Sequence, residues 1–251
     1  VTSAATPRTA VVTGAAQGLG EVIARTLHRA GFRVAVADID EASARSVAAS
    51  LDAMGETACA LALDVRQKAA FAAALEGLIQ RWGSVQLLVN NAAMTLTTPV
   101  MEISPEEFDA VIAVNLRGTF LGCQVFGAYF RDRGYGRIVN MASLAGENGG
   151  TATGAHYAAS KGGIMTVTKV FARELAGAGV TVNAIAPGPL DLASLRDKIS
   201  DEKIASIEKM IPVGHIGDPE FVAATVLHLA GPAASSVTGA IWDMNGGLLM
   251  R

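Results

Sequence analysis

Six short, nearly unbroken apolar runs recur along the chain: TAVVT (9–13), FRVAVAD (32–38), ACALAL (58–63), VQLLVN (85–90), GRIVNMAS (136–143) and VTVNAIAP (180–187). Side chains alternate across a strand, so a run that is apolar at every position needs cover on both faces. Longer segments of helical period fill the intervals. LGEVIARTLHRAG, EASARSVAASLDAMG and KAAFAAALEGLIQRWG read as helices, each ending in Gly. SPEEFDAVIAVNLRGTFLGCQVFGAYF opens with a capping box, Ser104 to Glu107, and Pro105 at the first helical position. PEFVAATVLHLAG and GAIWDMNGG supply a last helix and strand. The expectation is α/β: a single doubly wound domain over 1–251, its central parallel sheet of about seven strands flanked by helices. Ligands bind beyond the C-terminal strand ends of such a sheet.

Composition narrows the partners. A net charge of −3 gives no field for nucleic acid. No unbroken apolar run reaches the ~18 residues of a membrane span, and the opening VTSAATPRTAVVTG lacks the pattern of a signal peptide. Cys59 and Cys123 have no metal-like spacing, and His28, His156, His215 and His228 are scattered, so no metal is expected. A cytoplasmic protein acting on a small molecule, with neither nucleic acid nor membrane as partner, is the reading. The 27 glycines suit a fold with many strand-to-helix turns.

The first such turn carries chemistry. VVTGAAQGLGEVIARTL leads from a strand through Gly14, Gly18 and Gly20 into a helix. Glycines there permit a tight exit and close approach of backbone to a pyrophosphate, which the helix N-terminus attracts with free amides and partial positive charge. Gln17 and Leu19 belong to the same turn. Asp38 ends the second run, placed to accept adenosine ribose hydroxyls and to repel a 2′-phosphate, so NAD is favoured over NADP. Asp64, followed by Val65, ends the third run and is either a turn residue or a cofactor ligand. NNAA (90–93) is a turn-forming pair or a stretch whose backbone, at Asn91 and Ala92, lines a cofactor groove. Tyr157 and Lys161, four apart in AHYAASKGG, share one helix face.

Taken in order, TGAAQGLG, ADID, LDV, NNAA, VNLRG, Ser143, YAASK, NAIAPG and TGAIWDMNGG resemble the classical short-chain dehydrogenase/reductase family along essentially the whole chain. The resemblance implies a Rossmann-type fold and a nicotinamide-dependent oxidoreductase interconverting a secondary alcohol and a ketone. It makes Tyr157 the proton-transferring group, with Lys161 lowering its pKa and binding the nicotinamide ribose. The small neighbours then leave room for the cofactor. Ser143 is implied to hold the substrate oxygen. Asn115 is implied to steady a helix and hold a water linking Lys161 to solvent. Pro187 and Gly188 pass beneath the nicotinamide. Leu192 stands where the family often has Thr, so the carboxamide relies on backbone at Leu190 or another side chain. Ala93 stands where Gly is usual. Pairing of the helices near 105–131 and 157–176 into a homotetramer is also implied.

The segment 189–213 lies where the family builds a lid. Pro189, Leu190, Leu192, Leu195, Ile199 and Met210 are expected to form an apolar wall, with Met94 and Leu96 opposite. Glu147, Asn148 and His156, from GENGGTATGAH, are expected to reach a polar substituent of the substrate; for His156 a solvent-facing place at the helix start is the alternative. The substrate expected is medium-sized, apolar or aromatic, with a polar group. The alternatives are a 3-oxoacyl-thioester reductase meeting an acidic carrier protein through Arg131, Arg133 and Arg173, and a nucleotide-sensing protein without catalysis. Asp38 counts against the first, since fatty-acid reductions generally draw on NADPH.

Overall fold

The computed structural model describes residues 8–150, 153–197 and 200–251. Ile199, and Thr151 and Ala152 of the 146–156 loop, lie outside them. Seven strands form one parallel sheet in the order β3-β2-β1-β4-β5-β6-β7. They are β1 Thr9–Thr13, β2 Arg33–Asp38, β3 Ala58–Ala62, β4 Leu87–Asn90, β5 Gly136–Met141, β6 Val180–Pro187 and β7 Ile241–Met244. Strand order reverses between β1 and β4, which opens the ligand crevice at the C-terminal ends of those two strands. β1, β4, β5 and β6 are buried at every position, as their unbroken apolar character requires.

One helical layer comprises α1 (Gly18–Arg29), α2 (Glu41–Leu51) and the later α10 (Pro219–Leu229), packed through Ile23, Leu27, Val47, Val222 and Val226. The opposite layer holds α3 (Lys68–Trp82), α5 (Gly118–Arg133) and α7 (Ala155–Leu175), packed through Phe71, Leu78, Phe126, Phe130 and Leu175. Between them in sequence come α4 (Pro105–Ile112), the four-residue α6 (Ala145–Asn148), α8 (Ala193–Arg196) and α9 (Asp201–Glu208).

Several expectations are corrected. α2 stops at Leu51 rather than running on to Gly55, because the Asp52 carboxylate accepts from the Met54 and Thr57 amides and the Thr57 hydroxyl. The capping box at α4 is half formed: Ser104 Oγ accepts from Glu107 N at 3.1 Å, but the Glu107 carboxylate turns to His156. The helix from 105 onward is interrupted by a π-turn at Ala113–Arg117. Pro105–Arg133 as a whole is long and apolar enough, by length and composition, to cross a membrane. Its residues Val111, Cys123, Phe126 and Phe130 are fully buried, and the last three belong to the apolar core beside the sheet.

Within the segment expected as a lid, α8 and α9 lie beside a small cluster of their own. Ile204, Ile211 and Ile216 are buried there, with Leu195 and Ile207 packed against them.

Candidate functional site

The glycine turn is a cradle. A Cβ on Gly14 would stand 2.7 Å from Ala92 Cα, and one on Gly20 would stand 2.1 Å from the Gly14 carbonyl oxygen. Gly18 has φ +57° and open space where a Cβ would lie. Gln17 precedes α1 and makes no capping hydrogen bond from its side chain among the described residues. The first amides of α1 therefore keep the free donor capacity of a helix start. Leu19 is half-buried against the core.

The crossing from β1 to β4 is tied by Thr13. Its hydroxyl accepts from the amides of Asn91 (3.0 Å) and Ala92 (3.1 Å), and Asn91 Nδ2 donates to the carbonyls of Thr13 and Gly14 at 3.0 Å each. Both amides and the Asn91 side chain are thus engaged in bracing the first crossing, which leaves the carbonyls of Asn91 and Ala92 as the groups a groove there could present. Thr13 was not singled out from sequence, although a hydroxyl just before the first glycine was the available signal.

Asp38 is half-buried beside this turn, its carboxylate accepting from Ala16 N and Asp40 N at 3.1 Å each. The first contact ties the acid to the glycine turn, and the second fixes it within its own loop. Asp64 is gripped by Arg66, whose Nη2 lies 2.8 Å from one carboxylate oxygen and whose Nε lies 2.9 Å from the other. Hydrogen bonding to Arg66 holds its carboxyl below the usual range. Arg66 was missed in the sequence. Val65 is buried and backs onto Gly118.

Ser143, Tyr157 and Lys161 come together at the C-terminal edge of β5. Lys161 is buried, and its Nζ donates to the Met141 carbonyl at 2.6 Å while standing 5.6 Å from the Tyr157 ring centroid. Burial alone brings its pKa down to about 8. The Tyr157 phenol is pushed up by burial, while the hydroxyls of Ser143 and Thr95 act the other way. The expected lowering of the phenol by Lys161 is therefore not seen: the ammonium is turned to a backbone carbonyl. Thr95 at this phenol was also missed.

Two of the small residues of YAASKGG, Gly162 and Gly163, also serve packing. A Cβ on Gly146 would stand 2.5 Å from Gly162 N, and one on Gly163 would stand 2.8 Å from the Leu116 side chain. α6 and the π-turn can thus press directly on α7 at Lys161.

Asn115 sits in the π-turn with no exposure. Its Oδ1 accepts from Met94 N at 2.7 Å, and its Nδ2 donates to Met94 O and Ser160 Oγ at 3.0 Å each. Ser160 Oγ donates in turn to the Tyr157 carbonyl at 2.7 Å. Asn115 thus fastens the segment after β4 to α7, and Met94 and Leu96 follow, both half-buried.

At the end of β6, the Pro187 carbonyl accepts from Leu144 N at 2.9 Å, and Gly188 N donates to Met244 O at 2.8 Å. Pro189 and Leu190 lead away and line a cavity of about 440 Å³ with Ile211, Val213, Phe221 and Met244. None of Ser143, Tyr157 or Lys161 lines it, so the cavity belongs to the residues that follow β6 and β7 rather than to the hydroxyl cluster.

Two residues expected to meet substrate do otherwise. Glu147 pairs with Arg251, which also binds Asp243. His156 is fully buried, with Nε2 2.8 Å from Glu107 Oε1 and Nδ1 accepting from Tyr157 N at 2.8 Å. It neither faces substrate nor solvent. Asn148 accepts from Gly150 N in a turn. Leu195 packs within the lid, and Met210 is exposed.

The profile of the family described as enoyl-(acyl carrier protein) reductase matches residues 14–249. A 3-oxoacyl-[acyl-carrier-protein] reductase FabG of Thermotoga maritima is 32% identical over 240 residues, covering 96% of this chain and 97% of its own. A D-threitol dehydrogenase of Mycolicibacterium smegmatis is 36% identical over 247 residues, covering 97% and 94%. Among solved structures, one from Agrobacterium tumefaciens, provisionally described as a gluconate dehydrogenase, superposes with a TM-score of 0.90 at 32% identity, covering 97% of this chain and 96% of that one.

Proposed function

Since the chain belongs to the classical short-chain dehydrogenase/reductase family of nicotinamide-dependent oxidoreductases, we propose that it interconverts a secondary alcohol and a ketone, with NAD as cofactor and Tyr157 as proton carrier. The observation that carries this reading is the meeting of Tyr157, Ser143 and the buried Lys161 at the strand edge facing the glycine cradle. The cradle fits a pyrophosphate: the Gly18 position is open and the α1 amides are available. When bound, the oxidised nicotinamide supplies the hydride acceptor and a positive ring beside the phenol.

In the oxidative direction Tyr157, as the phenolate, would take the O–H proton of the alcohol, while the bound cofactor would accept the hydride from its carbon. The Ser143 hydroxyl donates to the substrate oxygen as charge develops on it. Bringing the phenol from ~10 to about 7 requires roughly 4 kcal/mol of differential stabilisation. Hydrogen bonds from Ser143 and Thr95 supply part of it, and Lys161, once turned from Met141 O toward the nicotinamide ribose, supplies another. Asp38, fixed by Ala16 N and Asp40 N, is the acceptor for the adenosine ribose hydroxyls and the source of NAD preference. By the same reading, Pro187, Gly188 and the Leu190 backbone would hold the nicotinamide, and Asp64 and Val65 the adenine.

Met94 and Leu96 on the segment after β4 and Leu192 beyond β6, all half-buried, favour an apolar or aryl alcohol with a polar group. Reduction of a 3-oxoacyl thioester is the second reading, favoured by whole-length similarity to the Thermotoga reductase. Exposed Phe120 on α5 and Val170 on α7 are surfaces that pairing into a homotetramer covers; light scattering measures the assembly. A cytoplasmic setting is part of the same reading.

The test is kcat/KM with NAD or NADH across 1-phenyl-1,2-ethanediol, D-threitol, gluconate, a steroid alcohol and a 3-oxoacyl thioester. The aryl diol is expected to lead, and clear superiority of the sugars or the thioester overturns the substrate assignment. Tyr157→Phe is expected to abolish turnover while NADH still binds. Retention of wild-type turnover by that variant sinks Tyr157 as proton carrier.

A further inference from the structure

We infer that Glu107 and His156 are positioning residues for this reaction, a clasp that holds the first turn of α7 so that Tyr157 meets Ser143 and Lys161. The inference rests on the reading of Tyr157 as proton carrier.

α7 begins without an ordinary cap. Gly154 precedes it and has no side chain to offer, yet Tyr157 N–H is among the amides at a helix start that find no acceptor within the helix. The neighbouring side chain fills the gap: His156 Nδ1 lies 2.8 Å from Tyr157 N. A backbone amide only donates, so Nδ1 is the acceptor and the ring proton sits on Nε2. Nε2 then donates to Glu107 Oε1 at 2.8 Å. Carboxylate, tautomer and helix amide are thereby linked in one line across 49 residues of sequence.

The surroundings leave this arrangement little slack. His156 has no exposure, and a buried ring nitrogen without a partner is costly. A Cβ at position 154 would lie 2.2 Å from His156 Cε1, so a Ser, Thr or Asp cap is sterically excluded while the imidazole is there. Glu107 is also bonded to the Thr98 hydroxyl, and Gly154 N donates to Leu96 O at 2.9 Å. With Asn115 binding Met94 on both sides of its backbone and Ser160 beyond it, the 94–98 segment is tied to the start of α7 directly at Gly154 and indirectly through Asn115 and Glu107.

Helix ends are where motion begins, and a displacement of about 1 Å at a reacting group can cost on the order of a hundredfold in rate. The clasp is therefore worth more to turnover than to folding. His156 must stay neutral for it to work, because a proton on Nδ1 would oppose the Tyr157 amide.

Three variants separate the contacts. His156→Asn keeps an acceptor at the Nδ1 position without reaching Glu107, His156→Gln keeps the reach without that acceptor, and His156→Leu has neither. The measurement is kcat for the best alcohol of the panel against pH, with NADH affinity by fluorescence and folded fraction by circular dichroism. His156→Leu is expected to lower kcat on the order of ten- to a hundredfold, with NADH affinity held. It is also expected to move the alkaline rise of kcat upward by about half a pH unit as the phenol leaves its donors. His156→Asn is expected to recover most of kcat. Equal losses in all three with an unmoved midpoint, or no loss in any, overturn the clasp. If His156→Leu does not fold, Glu107→Ala applies the same test from the partly exposed end, with the same expected midpoint shift. Inactive Tyr157→Phe beside fully active His156→Leu rejects the clasp alone. Active Tyr157→Phe rejects the reading on which it rests.

Discussion

Lys161→Met should yield a more stable protein that has lost its chemistry. At neutral pH the native chain must hold an ammonium where burial has brought its pKa down to about 8 from 10.5. Maintaining that charge costs about 3 kcal/mol relative to an exposed lysine. Against it stands the bond from Nζ to Met141 O at 2.6 Å, and hydrogen bonds from charged donors contribute about 1.5–3 kcal/mol. Met fills a similar volume without a charge, so a net gain of about 1 kcal/mol at pH 7 is expected. The pH dependence identifies the cause. Between pH 8 and 10.5 the unfolded chain keeps the lysine proton that the native chain has released, so unfolding takes up a proton and stability rises with pH. By pH 9.5 the penalty on the wild type is eased by about 2 kcal/mol, and its deficit against Lys161→Met should vanish or reverse. Half-buried Cys59 and buried Cys123, pushed up to about 11 and about 12, act in the opposite sense above pH 9, but they are common to both proteins and cancel in the difference. Urea titrations of both proteins at pH 7.0, 8.5 and 9.5 provide the comparison. A difference in stability that does not change with pH would refute the assignment of a strained ammonium to position 161. The same variant is expected to bind NADH more weakly and to turn over no alcohol.

Two further substitutions probe the cofactor cradle. Asp38→Ser should weaken NAD use and relieve the penalty on NADP, shifting the ratio of kcat/KM values on the order of tenfold or more; the polar cleft that begins at Ala16 holds Arg25, Ser43 and Ser46, with Glu21 paired to the arginine. A wild-type enzyme that uses both cofactors equally contradicts the role of Asp38. Gly20→Ala should weaken NADH binding and cost about 1–3 kcal/mol, since its Cβ would meet the Gly14 carbonyl at 2.1 Å and Asn91 Nδ2 at 2.5 Å. Calorimetry reads both effects, and an unchanged melting temperature would mean that the turn is looser than described.

Much of the fold was legible because it rests on local pattern. β1 and β6 match their apolar runs residue for residue, since each is buried throughout. Ser143, Tyr157 and Lys161 were legible because a strand end and a four-residue helical spacing bring them close without long-range information. What escaped depends on partners distant in sequence. Glu147 and Arg251 are separated by 104 residues, and no feature of GENGG announces an arginine at the other end of the chain. The same holds for His156, whose direction is set by Glu107 on another helix. α2 ended early because Asp52 captures three donors, while Ala53 and Met54 by themselves suit a helix. The π-turn was invisible because the apolar period runs through it without a glycine or proline to mark it.

That π-turn makes the Pro105–Arg133 rod sensitive to its length. Each residue of an α-helix turns the chain by about 100°, and a π-turn accommodates one extra residue per turn. α4 and α5 are therefore set at different rotational phases: Glu107 on the first meets α7, while Cys123, Phe126 and Phe130 on the second enter the core beside the sheet. Removing any one residue from Ala113–Arg117 would let the rod relax into a uniform helix and bring the two halves into a common phase. Either the phenylalanines would rotate out of the core or Glu107 would swing away from His156, and Asn115 would no longer face Met94. Side chains in this stretch can be exchanged one at a time, each at its own local cost. What the segment must keep is its residue count.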